Sequence, residues 1–121
     1  MNNLLLVFLG GGIGSVLRYA IGLFVQANFK TSFPLATFLS NTISCLIMAL
    51  TLFLLSTKIP INPAIKLVVL IGFCGGLSTF STFSLETVEL FKTGNSIIAI
   101  INILMSIFTC ITIIYFFNKQ L

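Results

Sequence analysis

Gly72-Phe73-Cys74-Gly75-Gly76-Leu77-Ser78-Thr79-Phe80-Ser81-Thr82-Phe83-Ser84 lies inside an apolar segment long enough to cross a membrane. The stretch holds three glycines, five hydroxyl residues and, in Phe80 and Phe83, two rings three positions apart. Glycine weakens a helix. A hydroxyl turned to lipid finds no partner there. Two readings are open. Either the helix breaks here around something polar, because irregular backbone at membrane depth is tolerated only where protein buries it or a cavity hydrates it. Or the small residues mark a close helix–helix contact.

Composition decides the setting. The chain has 121 residues, 58% hydrophobic and only 7% charged, with mean hydropathy +1.20. Soluble domains carry roughly 25% charged residues. So little charge cannot cover a water-facing surface, and an all-α integral membrane protein is expected. At this length residues 1–121 form one domain. The apolar N-terminal run is expected to stay as a span. Its front lacks a basic cluster, and no small-residue cleavage site followed by polar sequence comes after it.

The chemistry available is narrow. The chain has no His and no Trp, and its only acids are Glu86 and Glu89. Cys45, Cys74 and Cys110 sit in apolar segments without metal-ligand spacing, and read as small packing residues. An enzyme is disfavoured on this inventory. The formal charge is +4, yet the lysines stand singly at segment ends, where they reach the headgroups. No basic stripe exists for nucleic acid.

Four windows meet the requirement of about 20 mostly apolar residues: roughly 4–25, 34–57, 64–91 and 96–117. Pro34 suits a first helical turn. Lys58-Ile59-Pro60-Ile61-Asn62-Pro63 and Lys92-Thr93-Gly94-Asn95 are breakers. All connections are short, so successive helices should be antiparallel neighbours. Four spans put both termini on one side, with Lys58, Lys66 and Lys119. Lys30 and Lys92 fall on the other. Three lysines against two give the positive-inside rule almost nothing to act on. The chain is either weakly oriented or inserted both ways, its copies pairing antiparallel. Four short helices can hardly shield the intramembrane polar groups alone, which favours a two-fold dimer.

Those polar groups are few. Arg18 lies inside the first span, where an arginine costs roughly 2.5–3.5 kcal/mol on insertion scales. It either caps carbonyls near a helix end or draws anions toward a mouth. Gly10 and Gly14 form a GxxxG pair for close packing. This glycine run follows no strand and opens no βαβ unit, so it is no dinucleotide fingerprint. Asn41 must hydrogen-bond in the second span. It serves as helix glue, or its amide donates to an anion. In the fourth span Asn102, Ser106, Thr109 and Cys110 share one face, as glue or as the wall of a polar track. Phe80 and Phe83 share a side if helical. A ring presents a positive edge, which can favour a small anion without a full charge. Glu86 can pair with a lysine or with Arg18.

Together these stretches resemble the Fluc (CrcB) fluoride channels along the whole chain. Three motifs carry the resemblance: Gly11-Gly12-Ile13-Gly14-Ser15-Val16-Leu17-Arg18-Tyr19, Asn41, and Gly72 through Glu86. The resemblance implies passive, selective fluoride export across a cell (plasma) membrane, bacterial inner membrane being the expected setting. It implies a dual-topology antiparallel homodimer with two pores, each built by both subunits. Phe80, Phe83 and Asn41 would line the fluoride path, with Ser81, Thr82 and Ser84 around them. Ser106 and Cys110 would continue it as a track, and Arg18 would attract anions. The third helix would break at 75–78, near its middle. Carbonyls of Gly75 and Ser78 from both copies would hold a structural sodium ion on the dimer axis. Ser78 stands where a threonine is usual, a mild exchange if main-chain oxygen binds the ion. Cys110 stands where the track often has a hydroxyl, and a thiol is a weaker donor. The competing reading is a small multidrug-type exporter. A cation exporter needs an intramembrane carboxylate in its first span, and this one carries Arg18 and no acid.

Overall fold

The computed structural model describes residues 2–57 and 60–119. Lys58 and Ile59 of the second connection and Gln120 past the fourth span lie outside the described residues. Four stretches are long and apolar enough to cross a membrane: Asn3–Asn28, Leu35–Ser56, Pro63–Lys92 and Ser96–Asn118. The first two are the continuous helices α1 (Asn3–Asn28) and α2 (Leu35–Ser56). The third is composite. It runs through a short helix α3 (Pro63–Lys66), a π-helical stretch Leu67–Phe73, a single turn α4 (Cys74–Leu77) and α5 (Phe80–Lys92). The fourth is α6 (Ser96–Asn118).

Local chemistry sets the ends. The Asn2 side chain accepts the Leu4 N–H at 3.0 Å and starts α1. Asn62 does the same for Ala64 at 2.9 Å, with Pro63 in the first turn of α3, where its missing N–H costs nothing. Gly94, at φ 81°, turns the chain between α5 and α6. An L-residue with a side chain rarely adopts that conformation.

The interior is rich in small and polar side chains around a few large ones such as Leu77, and the outside is large and apolar. Ala49, Cys74 and Ala99 are fully buried, and Ser40, Ser44 and Asn102 nearly so. Leu4, Phe8, Ile97 and Phe108 are each more than 70% exposed. In water this would be an inverted protein. In lipid, association rests on close packing and interhelical hydrogen bonds, because an exposed leucine loses nothing there.

The tightest packing joins α1 to the third span. A Cβ at Gly10 would strike the Val68 carbonyl, at Gly14 the Phe73 carbonyl, and at Gly76 the Gly11 carbonyl. The expected GxxxG pair is thus a backbone contact, answered by Gly72 and Gly76 on the facing element. The π-helical stretch lies along this contact. Widened turns of this kind often sit at functional positions. α2 packs mainly along α6. The short connections reverse the chain at each step, so α2 and α6 run in the same direction.

The third helix does break, but only at the last residue of the expected 75–78 stretch and the one after it. Gly75, Gly76 and Leu77 stay helical in α4. The extended pair is Ser78 (φ −77°, ψ 154°) and Thr79 (φ −152°, ψ 120°). The reason is a partner outside the segment. The Thr79 N–H donates to Asn41 Oδ1 at 2.7 Å, and Asn41 Nδ2 donates to the Thr79 carbonyl at 3.3 Å. One side-chain amide thereby satisfies both backbone groups of the opened residue. The Thr79 hydroxyl then accepts the Thr82 N–H at 3.3 Å and caps α5. A β-branched residue suits the extended conformation.

Candidate ion pathway

Two cavities meet at this break. The first, about 320 Å³, is lined by Asn41 and Cys45 of α2, Ser78 and Thr79 of the break, Phe80 and Phe83 of α5, and Ser106 and Cys110 of α6. It gathers Asn41, Phe80, Phe83, Ser106 and Cys110, residues spread over three spans. The second, about 430 Å³, opens between α1, α2 and α5. Ser15, Arg18, Thr37, Ser40, Thr82 and Glu86 are among its walls. Thr79 lines both.

Within the first cavity the two rings differ. Phe83 is buried, while Phe80 is 79% exposed on the single chain. Their centroids are 5.7 Å apart at an interplanar angle of 37°. Phe80 therefore offers most of its ring to whatever packs on this face. The polar wall is partly committed. Asn102 Nδ2 donates to Thr87 Oγ1 at 2.9 Å, and Thr87 donates to the Phe83 carbonyl at 2.7 Å. The Ser106 hydroxyl donates to Asn102 Oδ1 at 3.3 Å. Asn102 is thus glue between α5 and α6. Ser106 takes part in that chain and also faces the cavity.

The hydroxyls after the break divide. Thr82 faces the second cavity, and the Thr79 hydroxyl donates to it at 3.1 Å. Ser81 stands 3.3 Å from the Thr79 hydroxyl. The Ser84 hydroxyl turns back to the Phe80 carbonyl at 2.9 Å. Neither Ser81 nor Ser84 is among the lining residues of the two cavities.

In the second cavity Arg18 and Glu86 share the walls. The Thr37 hydroxyl donates to Glu86 Oε1 at 2.9 Å. Glu86 Oε2 and the Ser40 hydroxyl are buried with no protein partner. Buried polar atoms of this kind ask for water or an ion. Thr37, Ser40 and Thr79 have no place among the site residues expected from sequence. Thr37, Ser40, Asn41 and Ser44 do recur at helical spacing on α2, the signal that marks this polar face.

The break also frees carbonyls. The Cys74 carbonyl is well served: Ser78 N–H at 3.0 Å, the Ser78 hydroxyl at 2.7 Å and the Ser44 hydroxyl at 2.9 Å. Among the described residues, no hydrogen bond across the break reaches the carbonyls of Gly75 or Ser78. Gly75 is exposed, and nothing lies within 4 Å of where its Cβ would stand. Main-chain oxygens without a hydrogen-bond partner are of the ligand type a hard cation takes.

Comparison with known proteins joins this geometry to a lineage. Residues 5–117 match the family described as CrcB-like protein, Camphor Resistance (CrcB). A Phocaeicola vulgatus protein named fluoride-specific ion channel FluC is 46% identical over 94 residues, 78% of this chain and 77% of the relative. A Shewanella baltica protein of the same name is 41% identical over 115 residues, 95% of this chain and 92% of the relative. One from Shewanella sediminis is 42% identical over the same length. Matched from one end of its four helices to the other, the chain belongs to the CrcB family.

Proposed function

We propose that this protein is a fluoride channel of the cell membrane that lets the ion leave passively and carries out no enzymatic chemistry. The carrying observation is the first cavity, where Asn41, Phe80, Phe83 and Ser106 converge beside a helix break in a relative of proteins named as fluoride channels. Fluoride is small and strongly hydrated. A path for it must replace water with donors and positive edges, and must release the ion as readily as it takes it. The second cavity collects the anion under the field of Arg18. Thr82 and Thr79 pass it inward, past the buried Ser40 hydroxyl. Asn41 keeps one amide hydrogen beyond the bond to Thr79, and the ring edges of Phe80 and Phe83 contribute positive potential without a full charge. A chloride ion is larger and would fit a narrow path poorly.

The working unit is an antiparallel homodimer of oppositely inserted copies with two paths. The exposure of both Phe80 and Gly75 along the third span supports it. Gly75 and Ser78 would hold a sodium ion between the copies through main-chain oxygens. When bound, that ion supplies fixed positive potential beside the paths. Purified protein in fluoride-loaded vesicles, read with a fluoride-selective electrode, tests the reading. Rapid fluoride release with negligible chloride release is expected. Equal release of both ions, or release only against a counter-transported cation, overturns it.

A further inference from the structure

The first cavity contains a feature that fluoride conduction does not call for. One helical turn beyond the Asn41 and Ser106 level stand Cys45 and Cys110, each four residues further along two helices that run the same way. Both are free thiols, both are half-buried, and both line the cavity. A hydroxyl pair would serve an anion better, since a thiol is a weak donor. Two thiols on packed helices, open to one cavity, are instead the donor set of a chelate.

The geometry points to a binding site for a thiophilic monovalent d10 cation, of the silver(I) or copper(I) class, between Cys45 and Cys110, whose occupation closes the path. Soft sulfur ligands select such ions. A linear two-sulfur arrangement completes their coordination without further ligands. Zinc asks for four ligands. Among the described residues no group of three or more His, Cys, Asp or Glu converges to supply them. Each thiol gives up its proton on binding. Two S–H bonds break, two sulfur–metal bonds form, and two protons leave as one cation enters, with no electron transfer. The site's charge falls by one. A net negative centre in the wall repels fluoride, and the ion's bulk narrows the cavity. The closure rests on the fluoride reading above; the binding does not.

Two measurements on the full-length protein keep these apart. The first titrates silver nitrate into purified protein in chloride-free buffer. It reads bound silver per chain, proton release, and protection of Cys45 and Cys110 from a maleimide. One silver per chain is expected, with two protons released. Cys45→Ala and Cys110→Ala should each weaken binding by more than about 100-fold, since even outer-shell groups are worth 10–100-fold. Cys110→Ser, which preserves size, should do the same if the alanine variant fails to fold. Cys74→Ala should bind silver as the parent does. Silver retained in the Cys45→Ala/Cys110→Ala protein overturns the site. The second measurement reads fluoride flux with and without silver, each variant against its own silver-free flux. Near-complete loss in the parent and retention in Cys45→Ala support closure. Binding at the pair with flux unchanged overturns closure. Binding at the pair in a protein that never passes fluoride upholds the site and sinks the fluoride reading.

Discussion

Asn41 holds two offices at once. Its amide satisfies both backbone groups of Thr79, and its side chain faces the cavity. Removing it leaves an N–H and a C=O unserved, at about 1–3 kcal/mol each. Asn41→Asp separates the offices: it accepts the Thr79 N–H but cannot donate, and it adds negative charge to the proposed anion path. Both Asn41→Ala and Asn41→Asp should abolish flux, with Asn41→Ala the less stable in a detergent unfolding series. Full flux in Asn41→Asp would show that no donor is needed here. The two rings make a second test. Phe80 is 79% exposed and Phe83 only 8%. Isoleucine keeps apolar bulk but has no positive ring edge. Phe80→Ile should leave the single chain's stability unchanged. Phe83→Ile should cost less than about 1.5 kcal/mol. Each should still lower flux about tenfold or more, equivalent to ~1.4 kcal/mol on the barrier. Normal flux in both would reduce the rings to packing.

Among the elements, the third span and α1 carry the structure. Their glycines are not equivalent. Gly76 faces the Gly11 backbone, where a methyl group has no room, whereas Gly75 faces open space. Gly76→Ala should destabilise the chain by about 1–3 kcal/mol through overpacking, and should lower the yield of monodisperse protein on size exclusion. Gly75→Ala should leave the isolated chain folded, because its backbone is ordinary helix. On the homodimer proposed above, any loss it causes should appear as a higher monomer fraction. If Gly75→Ala unfolds the chain and Gly76→Ala does not, the α1 contact is misassigned. The Asn102–Thr87 bond ties α5 to α6, so the piece after the break is anchored independently of the glycine contact before it.

At the level of the assembled protein, insertion and sodium are the open tests. Lys30 and Lys92 lie on one side, and Lys66 and Lys119 on the other, so neither side outweighs its opposite among the described lysines. Single cysteines at Lys30 and at Lys66, in a background without the native three, should each react with an impermeant maleimide from both sides of sealed membranes. Reaction from one side only at each position would refute dual topology. Strict removal of sodium should lower both flux and dimer fraction. Ser78→Ala should keep the sodium dependence if, as proposed, main-chain oxygen is the ligand. Flux indifferent to sodium removal, with no substitute cation, would leave the free carbonyls of Gly75 and Ser78 without that role.

Much of this protein can be read along one dimension. Span number and the approximate span ends follow from runs of apolar residues and the breakers between them, because lipid reads hydropathy locally. The three motifs were enough to point to the family. Gly75-Gly76 announced a weak helix, but glycine marks only where a helix can open. Which peptide does open was decided by Asn41, 38 residues earlier in the chain. The same holds for Glu86, whose hydrogen-bond partner is Thr37, 49 residues away, rather than a lysine or Arg18. It holds again for the fourth-span stripe, which divides into the glue of Asn102 and the cavity wall of Cys110. A polar residue in lipid must find a donor or an acceptor, and sequence states that need. Only the packing of distant helices determines which partner meets it and which atoms are left for an ion.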